Sequence, residues 1–340
     1  MLRVFRSLPP PESGSEIHDV LAFAGGPLQR EYTIEASRVT VTPVPHELQA
    51  LLARDYDVVH VLFERGAHRL APLVLAMSDA AFVYGKNYDV SAMFRMHAQF
   101  DWSADESVLS ASDAVTFTTL DLAAGYRLPP GRTTILRKAA FVTRAMDVPR
   151  LVESSPPRLL CVANLHPRKR LADLLAVMHQ VRARVPAATL RIVGGGTPAQ
   201  VADLTTRIDA AHLTDAIQLT GPQDAIEREL AECRVFVLPS GAEGVPTVIL
   251  EAMAAARPVV ATRVGHIGHI LTDGCEGYLT PPGDVTMMAA RIVSLLEQPR
   301  QAARMGAAGR VRAAAHDVRA VAQDLLRVLR RTATARRRAA

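Results

Sequence analysis

Aromatic and cysteine residues are scarce in this chain, and each scarcity narrows the kind of protein it can be. Phe, Tyr and Trp make up 5% of the 340 residues, whereas hydrophobic residues make up 49%, so any packed core must be aliphatic. The three cysteines, Cys161, Cys233 and Cys275, are too few for a disulfide framework, and each lies in or beside an apolar strand or turn. We therefore expect packed thiols and a reducing compartment.

Long apolar segments are missing as well. The chain has no apolar run of about eighteen residues, and its first residues, MLRVFRSLPPPESG, lack the apolar middle of a secretion signal. We therefore expect a cytoplasmic protein. Its net charge of +5 is mild for a nucleic-acid binder, so no nucleic-acid partner is predicted. That charge suits anionic ligands, or a peripheral contact with the inner face of an anionic membrane.

Arginines are concentrated at the end of the chain, where they supply much of the positive excess. They are Arg330, Arg331, Arg336, Arg337 and Arg338. Dense like charge favours an unfolded segment, so residues 332–340 are predicted to form a disordered basic tail. The alternative is a contact of this tail with a membrane or a nucleic acid.

The second half alternates short apolar runs with amphipathic helical patterns such as LADLLAVMHQVRARV. The predicted strands are residues 159–163, 190–193, 217–220, 235–238, 259–262 and 277–280. Three further helices are predicted from residue 284, from about residue 301, and over residues 318–331. Repeated strand–helix units predict a doubly wound parallel sheet, whose ligand site lies at the carboxyl ends of the strands.

The first half is less regular but also α/β. The predicted strands are residues 2–5, 38–42, 58–63, 80–84, 114–118 and 134–137, and the predicted helices are residues 46–54, 71–77 and 119–124. A loop over residues 9–22 follows the first strand and is predicted to run into a helix. The proline- and serine-rich segment 148–158, VPRLVESSPPR, is the expected linker, so we predict domains over residues 1–150 and 156–317.

One segment of the second half, SGAEGVPTVILE over residues 240–251, joins a predicted strand end to a predicted helix start. Pro246 suits the first helical turn, where a missing N–H costs nothing. The N–H groups of Gly244, Val245 and Thr247 would then face an anion such as a diphosphate. The segment is therefore a candidate phosphate-binding turn.

Two glutamates of this segment, Glu243 and Glu251, are separated by seven residues. Glu251 lies one turn beyond Thr247 on the same helical face, so its carboxylate can accept hydrogen bonds from a vicinal diol such as ribose. Glu243 can face a second polyol from the loop. Two surface glutamates of an ordinary strand–turn–helix unit would show the same spacing, so the spacing alone leaves that alternative open.

The residues around both glutamates resemble the E-x7-E region of the retaining GT-B glycosyltransferases, which use nucleotide sugars without a metal. The matching positions are Glu243, Gly244, Pro246, Glu251, Ala252, Met253, Ala254, Pro258, Val259, Val260 and Gly265. The resemblance covers roughly residues 158–330 and extends more weakly to the first half. It implies two Rossmann-like domains that face each other across a cleft, with the helix over residues 318–331 crossing back to the first domain.

The resemblance also implies a diphosphate-binding turn after the first strand of the second domain. The family carries a glycine, an arginine, a proline and a lysine in this turn, and its two cations hold the diphosphate. Lys169 matches the lysine, whereas Asn164 stands in place of the arginine and removes one charge. Arg168 and Arg170 are candidate replacements, although neither is in the aligned position. A solvated basic turn is the alternative.

Three more residues are implied to lie near the donor. Gly14 and Ser15 stand in the place of the family's glycine-rich N-terminal loop, although an ordinary turn explains a single glycine equally well. Gly221 stands in the segment that lies near the nucleotide base in relatives. Relatives often carry a histidine after the strand over residues 80–84, near the reacting sugar, where this chain has Lys86 and its neighbours.

No metal site is predicted. Asp55 and Asp57 form an Asp-x-Asp motif but precede their strand, so we interpret them as a turn. His266, His269 and Cys275 have a spacing that suits zinc but lack a fourth ligand nearby. The glycines at residues 194–196 lack a following Gly-Lys-Ser/Thr, so they predict close packing of a turn and not a P-loop.

The function that the resemblance implies is a retaining, metal-independent glycosyltransferase of the hexosyltransferase class. It would need no cofactor and would move a sugar from a nucleotide-diphosphate donor to a glycan, a lipid-linked molecule or a small molecule. Glu243 and Lys169 would be the catalytic residues. The alternatives are a GT-B-like protein that binds a nucleotide sugar or a partner protein without transfer, and a carboxylate-using epimerase of the same fold.

Overall fold

The computed structural model describes residues 19–22, 38–41, 56–62, 71–72, 74–76, 79–86, 102–129, 131–140, 142–149, 156–223 and 225–339. The chain divides into two compact units, Met1–Ala139 together with Val318–Ala340, and Ala140–Asp317. It passes from the first unit to the second at residues 139–140, and back again at residues 317–318.

In the part of the first unit that the structure describes, the strands form two parallel sheets. Its strands are β1 (Asp19–Ala22), β2 (Arg38–Val41), β3 (Val58–Leu62), β4 (Ala81–Lys86), β5 (Ala114–Phe117) and β6 (Thr133–Ile135), and its first helices are α1 (Trp102–Ala111) and α2 (Leu120–Ala124). Strands β1 and β2 pair with each other, and the other four form one sheet in the order β3-β4-β5-β6. Aliphatic and aromatic side chains of β4, β5 and α2 fill its core, among them Phe82, Tyr84, Val115 and Leu122.

The structure corrects one prediction in the first half of the chain and leaves three outside the described residues. Residues 19–22 were predicted to lie in the loop over residues 9–22 that runs into a helix, but they form β1 and pair in parallel with β2. The apolar run there is too short to be recognised as a strand from its periodicity. The predicted strand over residues 2–5, the predicted helix over residues 46–54, and Gly14 with Ser15 all lie outside the described residues.

The second unit is built on one six-stranded parallel sheet. Its strands are β7 (Arg158–Val162), β8 (Thr189–Val193), β9 (Ile217–Gly221), β10 (Val235–Leu238), β11 (Val259–Thr262) and β12 (Gly277–Thr280). Each of the six predicted strands is confirmed. The order in the sheet is β12-β11-β10-β7-β8-β9, so the direction of winding reverses between β7 and β10. In such sheets, ligands bind in the crevice beyond the carboxyl ends of the two strands at the reversal.

Helices cover this sheet and hold its loops. They are α3 (Val142–Met146), α4 (Asp173–Arg184), α5 (Pro198–Ala210), α6 (Glu227–Glu232), α7 (Thr247–Ala254), α8 (Ile267–Ile270), α9 (Val285–Glu297) and α10 (Pro299–Ala314), and a short 3₁₀ helix spans Pro167–Lys169. Strand β10 and most of α7 are buried, which explains why both are almost wholly apolar in sequence.

The boundary between the units lies ahead of the linker that we predicted over residues 148–158. Helix α3 precedes that segment, yet it buries Val142 and Ala145 in the core of the second unit. The Arg310 side chain donates hydrogen bonds to the main-chain oxygens of Met146 and Val148 at 2.9 and 3.1 Å. The proline- and serine-rich composition therefore did not locate the boundary, because the residues just before it pack with the second unit.

The last helix, α11 (Val318–Ala339), returns to the first unit, as predicted for residues 318–331. It continues through residues 332–339, so the prediction of a disordered tail there was wrong. Two arginines of residues 332–339 contact acidic residues that precede β3 and β5 of the four-stranded sheet. Arg336 lies 3.4 Å from Asp113, and Arg337 pairs with Asp57. Within the described ranges, no helix combines the length and apolar composition that a membrane-spanning segment needs.

His60 of β3 predicts an acid-sensitive first unit. Burial lowers the pKa of His60 from its ordinary value of 6.5 to about 4, and its Nε2 atom has no hydrogen-bond partner among the described residues. In the unfolded chain His60 is therefore protonated below pH 6.5, whereas in the folded chain it is protonated only below about pH 4. Stability should be fully present above pH 6.5 and should fall by about 1 to 3 kcal/mol between pH 6.5 and 4.

The test is the free energy of unfolding in urea at pH 7 and pH 4.5 for the wild type, His60→Gln and His179→Gln. His179 is an exposed histidine of α4 and serves as the control. The drop on acidification should become smaller in His60→Gln and should stay unchanged in His179→Gln. An equal drop in all three proteins would show that His60 does not cause it.

Candidate functional site

Two loops meet at the carboxyl edge of the six-stranded sheet, at the point where the direction of winding reverses. One follows β7 and contains Lys169, and the other follows β10 and contains Glu243. The loops are joined by the N–H of Gly241, which donates to the oxygen of Arg168 at 2.7 Å. The Thr262 hydroxyl at the end of β11 donates to the oxygen of Ser240 at 2.5 Å. Neighbouring strands therefore hold the two loops in contact.

The structure brings the two predicted catalytic residues into direct contact. Lys169 Nζ forms an ion pair with Glu243 Oε1, and the hydroxyl of Ser240 donates to the same oxygen at 2.7 Å. The exposed fractions of the Lys169 and Glu243 side chains are 12% and 8%. Because water is largely excluded, the pair interacts more strongly than an ion pair at the surface. Burial raises the pKa of Cys161, a β7 residue, to about 12, and the two charges act on it in opposite directions.

The turn that carries Lys169 is set by local hydrogen bonds. The 3₁₀ helix is capped by His166, whose Nδ1 accepts from the N–H of Arg168 at 3.2 Å. Arg170 ends the turn with a positive φ of 50°, and its N–H donates to the oxygen of Pro167 at 3.0 Å. A proline-started single turn with a left-handed last residue thus directs Lys169 toward the loop after β10.

The replacement cations suggested for the exposed Asn164 differ in their surroundings. The Nε atom of Arg170 donates to Asp173 at 2.8 Å, and the guanidinium lies beside Gly283. Arg168 is exposed, and its side chain has no partner among the described residues. Of the two arginines, Arg168 is therefore the one whose charge is not already matched by a carboxylate.

Gly265 supports the Glu243 loop from the β11 side. A Cβ atom at Gly265 would lie 1.8 Å from the carbonyl oxygen of Glu243, and the φ of Gly265 is 53°. The next N–H, that of His266, donates to the oxygen of Gly244 at 3.1 Å. The absence of a side chain at Gly265 therefore lets the β11 loop approach the backbone on which Glu243 stands.

A second close approach lies under the Lys169 turn. A Cβ at Gly194 would lie 1.9 Å from the oxygen of Ala163, which confirms the close-packing interpretation of the glycines over residues 194–196. The N–H of Gly194 donates to the oxygen of Gly221 at 3.0 Å. Gly221 ends β9 with a φ of 71°. The proposed base-binding residue therefore stands at the same sheet edge as Lys169.

Helix α7 begins one residue later than we predicted. Pro246 is its N-cap, with an extended ψ of 114°, and the helix runs from Thr247. The N–H groups of the first helical turn therefore begin at Thr247, after the proline. Val245 and Thr247 are partly exposed, whereas Glu251, in the middle of α7, is 9% exposed. The predicted contacts of these residues with a diphosphate and a ribose stay predictions.

The residues with metal-ligand spacing do not come together as a set. The rings of His266 and His269 lie 5.6 Å apart, and Cys275 is an exposed free thiol. In the described part of the chain, no group of three or more His, Cys, Asp or Glu side chains could hold a metal ion. Asp57 contacts Arg337 instead.

Sequence reasoning missed the burial of two polar residues at strand ends, Ser240 and Lys86. Ser240 is fully buried and contacts Glu243, and the Ser-x-x-Glu spacing, typical of local side-chain hydrogen bonds, could have indicated it. Lys86 ends β4 with 1% of its surface exposed, and its ammonium lies 4.9 Å from the ring of Tyr126. No sequence signal distinguishes this lysine from a surface one.

Comparison with known proteins shows what the chain is similar to. Residues 156–298 match the family described as Glycosyl transferases group 1. The GDP-mannose-dependent alpha-(1-6)-phosphatidylinositol monomannoside mannosyltransferase of Mycolicibacterium smegmatis is 33% identical over 192 residues, 54% of this chain and 50% of that protein. The phosphatidyl-myo-inositol mannosyltransferase of Mycobacterium leprae is 27% identical over 350 residues, 97% of this chain and 88% of that protein.

The chain spans half the length, or less, of the first curated relatives that it matches. Among solved structures, Anabaena HepE in complex with UDP is similar with a TM-score of 0.78 at 18% identity, over 92% of this chain and 91% of that one. At this identity the likeness shows the fold. The predicted GT-B fold is thereby confirmed, and residues 156–298 belong to the group 1 glycosyltransferase family.

Proposed function

We propose that the protein is a retaining glycosyltransferase that moves a sugar from a nucleotide-diphosphate donor to an acceptor hydroxyl without a metal. The observation that carries this proposal is the contact between Lys169 and Glu243 at the carboxyl edge of the sheet. A cation and a hydrogen-bond-accepting carboxylate stand there side by side, where a diphosphate and its sugar would lie next to each other.

Each side chain has a separate role in the proposed reaction. The Glu243 carboxylate accepts hydrogen bonds from hydroxyls of the transferred sugar, and Lys169 faces the diphosphate. When the glycosidic bond breaks, negative charge grows on the departing phosphate oxygen, and a fixed cation there lowers the barrier. We assign no protein general base, because the departing phosphate oxygen can take the proton of the acceptor hydroxyl. Glu251 binds the ribose hydroxyls from α7.

The chemistry of the acceptor is proposed from the relatives. The names of the two mycobacterial proteins specify mannosyl transfer to phosphatidylinositol compounds. A glycan or lipid-linked acceptor at the inner face of a membrane is therefore a reasonable class for this chain, beside small molecules. The basic α11 helix, with Arg338 at its exposed end, is compatible with such a surface.

The proposal is tested by a thermal-shift screen with nucleoside diphosphates and nucleotide sugars, followed by transfer assays with glycan, lipid-linked and small acceptors. A ligand at about 100 times its dissociation constant adds roughly 2.7 kcal/mol of stability. We expect a nucleotide sugar to stabilise the protein and to be consumed. Stabilisation without consumption would favour the transfer-deficient alternative, to which the exposed Asn164 also points. No stabilisation by any nucleotide would contradict both.

The ribose role of Glu251 gives a residue-level test of the donor site. Glu251→Ala removes a charged hydrogen-bond acceptor worth about 1.5 to 3 kcal/mol, so donor affinity should fall roughly 10- to 150-fold by calorimetry. Glu297→Ala is the control, because Glu297 is a helical glutamate with a 42% exposed side chain and an ion pair to Arg184. Unchanged affinity in Glu251→Ala would show that the ribose role is wrong.

A further inference from the structure

We propose that Ser240 is a positioning residue of the donor site, which fixes the carboxylate of Glu243 so that its Oε2 atom accepts the hydroxyls of the transferred sugar. The inference rests on the proposed function, in which Glu243 binds that sugar. It assigns a role to a residue that contacts no substrate and acts through Glu243.

Ser240 is placed to act as a fixed donor. It follows β10 by two residues, is 0% exposed, and donates from its hydroxyl to Glu243 Oε1 at 2.7 Å. Its own main-chain oxygen accepts the hydroxyl of Thr262 at 2.5 Å, which ties it to β11. A short side chain held at a strand end has few alternative positions, so the donor stays where it is when the loop moves.

The two donors to Glu243 converge on one oxygen. Lys169 Nζ and the Ser240 hydroxyl both contact Oε1, and Oε2 receives no hydrogen bond among the described residues. A carboxylate with an exposed fraction of 8% needs such donors to offset its lost hydration. Oε2 is therefore the oxygen left to accept hydrogen bonds from a bound sugar.

The two donors differ in how a diphosphate would affect them. Lys169 has a flexible stem, and an arriving diphosphate would attract its ammonium away from Glu243. The Ser240 hydroxyl is neutral, so an arriving diphosphate would not attract it away from Glu243. Ser240 would then be the contact that keeps the carboxylate in place while Lys169 turns to the phosphates. Its loss should therefore affect the sugar and spare the nucleoside diphosphate.

The experiment compares the affinity of the nucleotide sugar found in the screen with that of its nucleoside diphosphate, by calorimetry. Ser240→Ala should weaken binding of the nucleotide sugar about 10-fold and leave binding of the diphosphate within about twofold. Ser240→Cys, which keeps a weak donor of similar size, should recover part of the loss. Ser112→Ala is the control, because Ser112 is also 0% exposed and donates to a main-chain oxygen at 2.6 Å.

A double-mutant cycle distinguishes positioning from a general effect on the fold. In a Glu243→Ala background, or Glu243→Met if that variant folds better, residue 243 offers no oxygen to the Ser240 hydroxyl, so Ser240→Ala should have no further effect on nucleotide-sugar affinity. An equal loss in both backgrounds, or an equal loss for the nucleoside diphosphate, would overturn the inference.

The same cycle separates this inference from the proposed function. If the Glu243 variants bind the nucleotide sugar as tightly as the wild type, the sugar role of Glu243 is wrong and both proposals fail. If the Glu243 variants lose affinity for the sugar and Ser240→Ala does not, only the positioning role is wrong.

Discussion

Lys169→Ala should lower kcat/KM for sugar transfer about 100- to 1,000-fold, which corresponds to roughly 2.7 to 4 kcal/mol of transition-state stabilisation. The expectation follows from its low exposure of 12%, its place beside Glu243, and the lack of a charge at Asn164. A cation that is already in place when the phosphate leaves needs no reorganisation at that moment. Its removal also leaves Ser240 as the remaining described donor to Glu243 Oε1.

Two other variants make the Lys169 result interpretable. Arg182→Ala removes a cation whose ion pair with Asp215 is exposed, with side-chain fractions of 28% and 67%, so kcat/KM should stay within about twofold. Arg168→Ala tests whether the neighbouring exposed arginine compensates for Asn164. A loss in Arg168→Ala as large as in Lys169→Ala would assign the diphosphate to both cations. A Lys169→Ala enzyme that keeps kcat/KM within about threefold would contradict the catalytic role.

Gly265→Ala should abolish most donor binding although residue 265 carries no functional group. The new Cβ would lie 1.8 Å from the carbonyl oxygen of Glu243, at a backbone φ of 53° that alanine adopts only with strain. One of the two loops must move: a shift of the Glu243 loop displaces Glu243 from Lys169 and Ser240, and a shift of the β11 loop removes the hydrogen bond from the N–H of His266 to Gly244. We expect donor affinity to fall about 100-fold and the free energy of unfolding to fall by about 2 kcal/mol.

Gly268→Ala is the matched control for this variant. Gly268 lies in the same loop-and-helix segment, but among the described residues no heavy atom beyond its chain neighbours and its own helix backbone lies within 4 Å of its added Cβ. Calorimetric donor affinity and urea unfolding should be close to wild type for Gly268→Ala. If the two alanine variants behave alike, the contact of Gly265 with the Glu243 backbone does not support the site.

Most of the second unit could be predicted because its local and tertiary signals agree. The runs at residues 235–238 and 259–262 are short, apolar and separated by helical patterns, and they are buried strands β10 and β11 with the predicted bounds. Central parallel strands are buried on both faces, so continuous apolar sequence is their direct signature. The same signature failed at residues 19–22, which were predicted to lie in a loop, because the apolar run of β1 was too short to indicate a strand.

Charge and composition predicted the structure less well than the pattern of apolar residues did. The arginines at residues 336 and 337 indicated disorder, yet they belong to α11 and contact Asp113 and Asp57. These acids are more than two hundred positions away in the chain. Contacts between residues so far apart in the chain produce no local sequence pattern from which they could be predicted. For the same reason the linker composition misplaced the boundary, since α3 packs with the helices α7 and α10, which follow it in the chain.

The sequence by itself determined the parallel α/β sheet of the second unit, the turn and helix that carry Glu243 and Glu251, and the likeness to GT-B glycosyltransferases. These follow from apolar periodicity and motif spacing, which are properties of neighbouring residues. Only the tertiary structure decided that Lys169 contacts Glu243, that Ser240 donates to the same oxygen, and that Gly265 must lack a side chain. Those contacts arise because β7, β10 and β11 end side by side at one edge of the sheet, and strand order is set by packing of the whole unit.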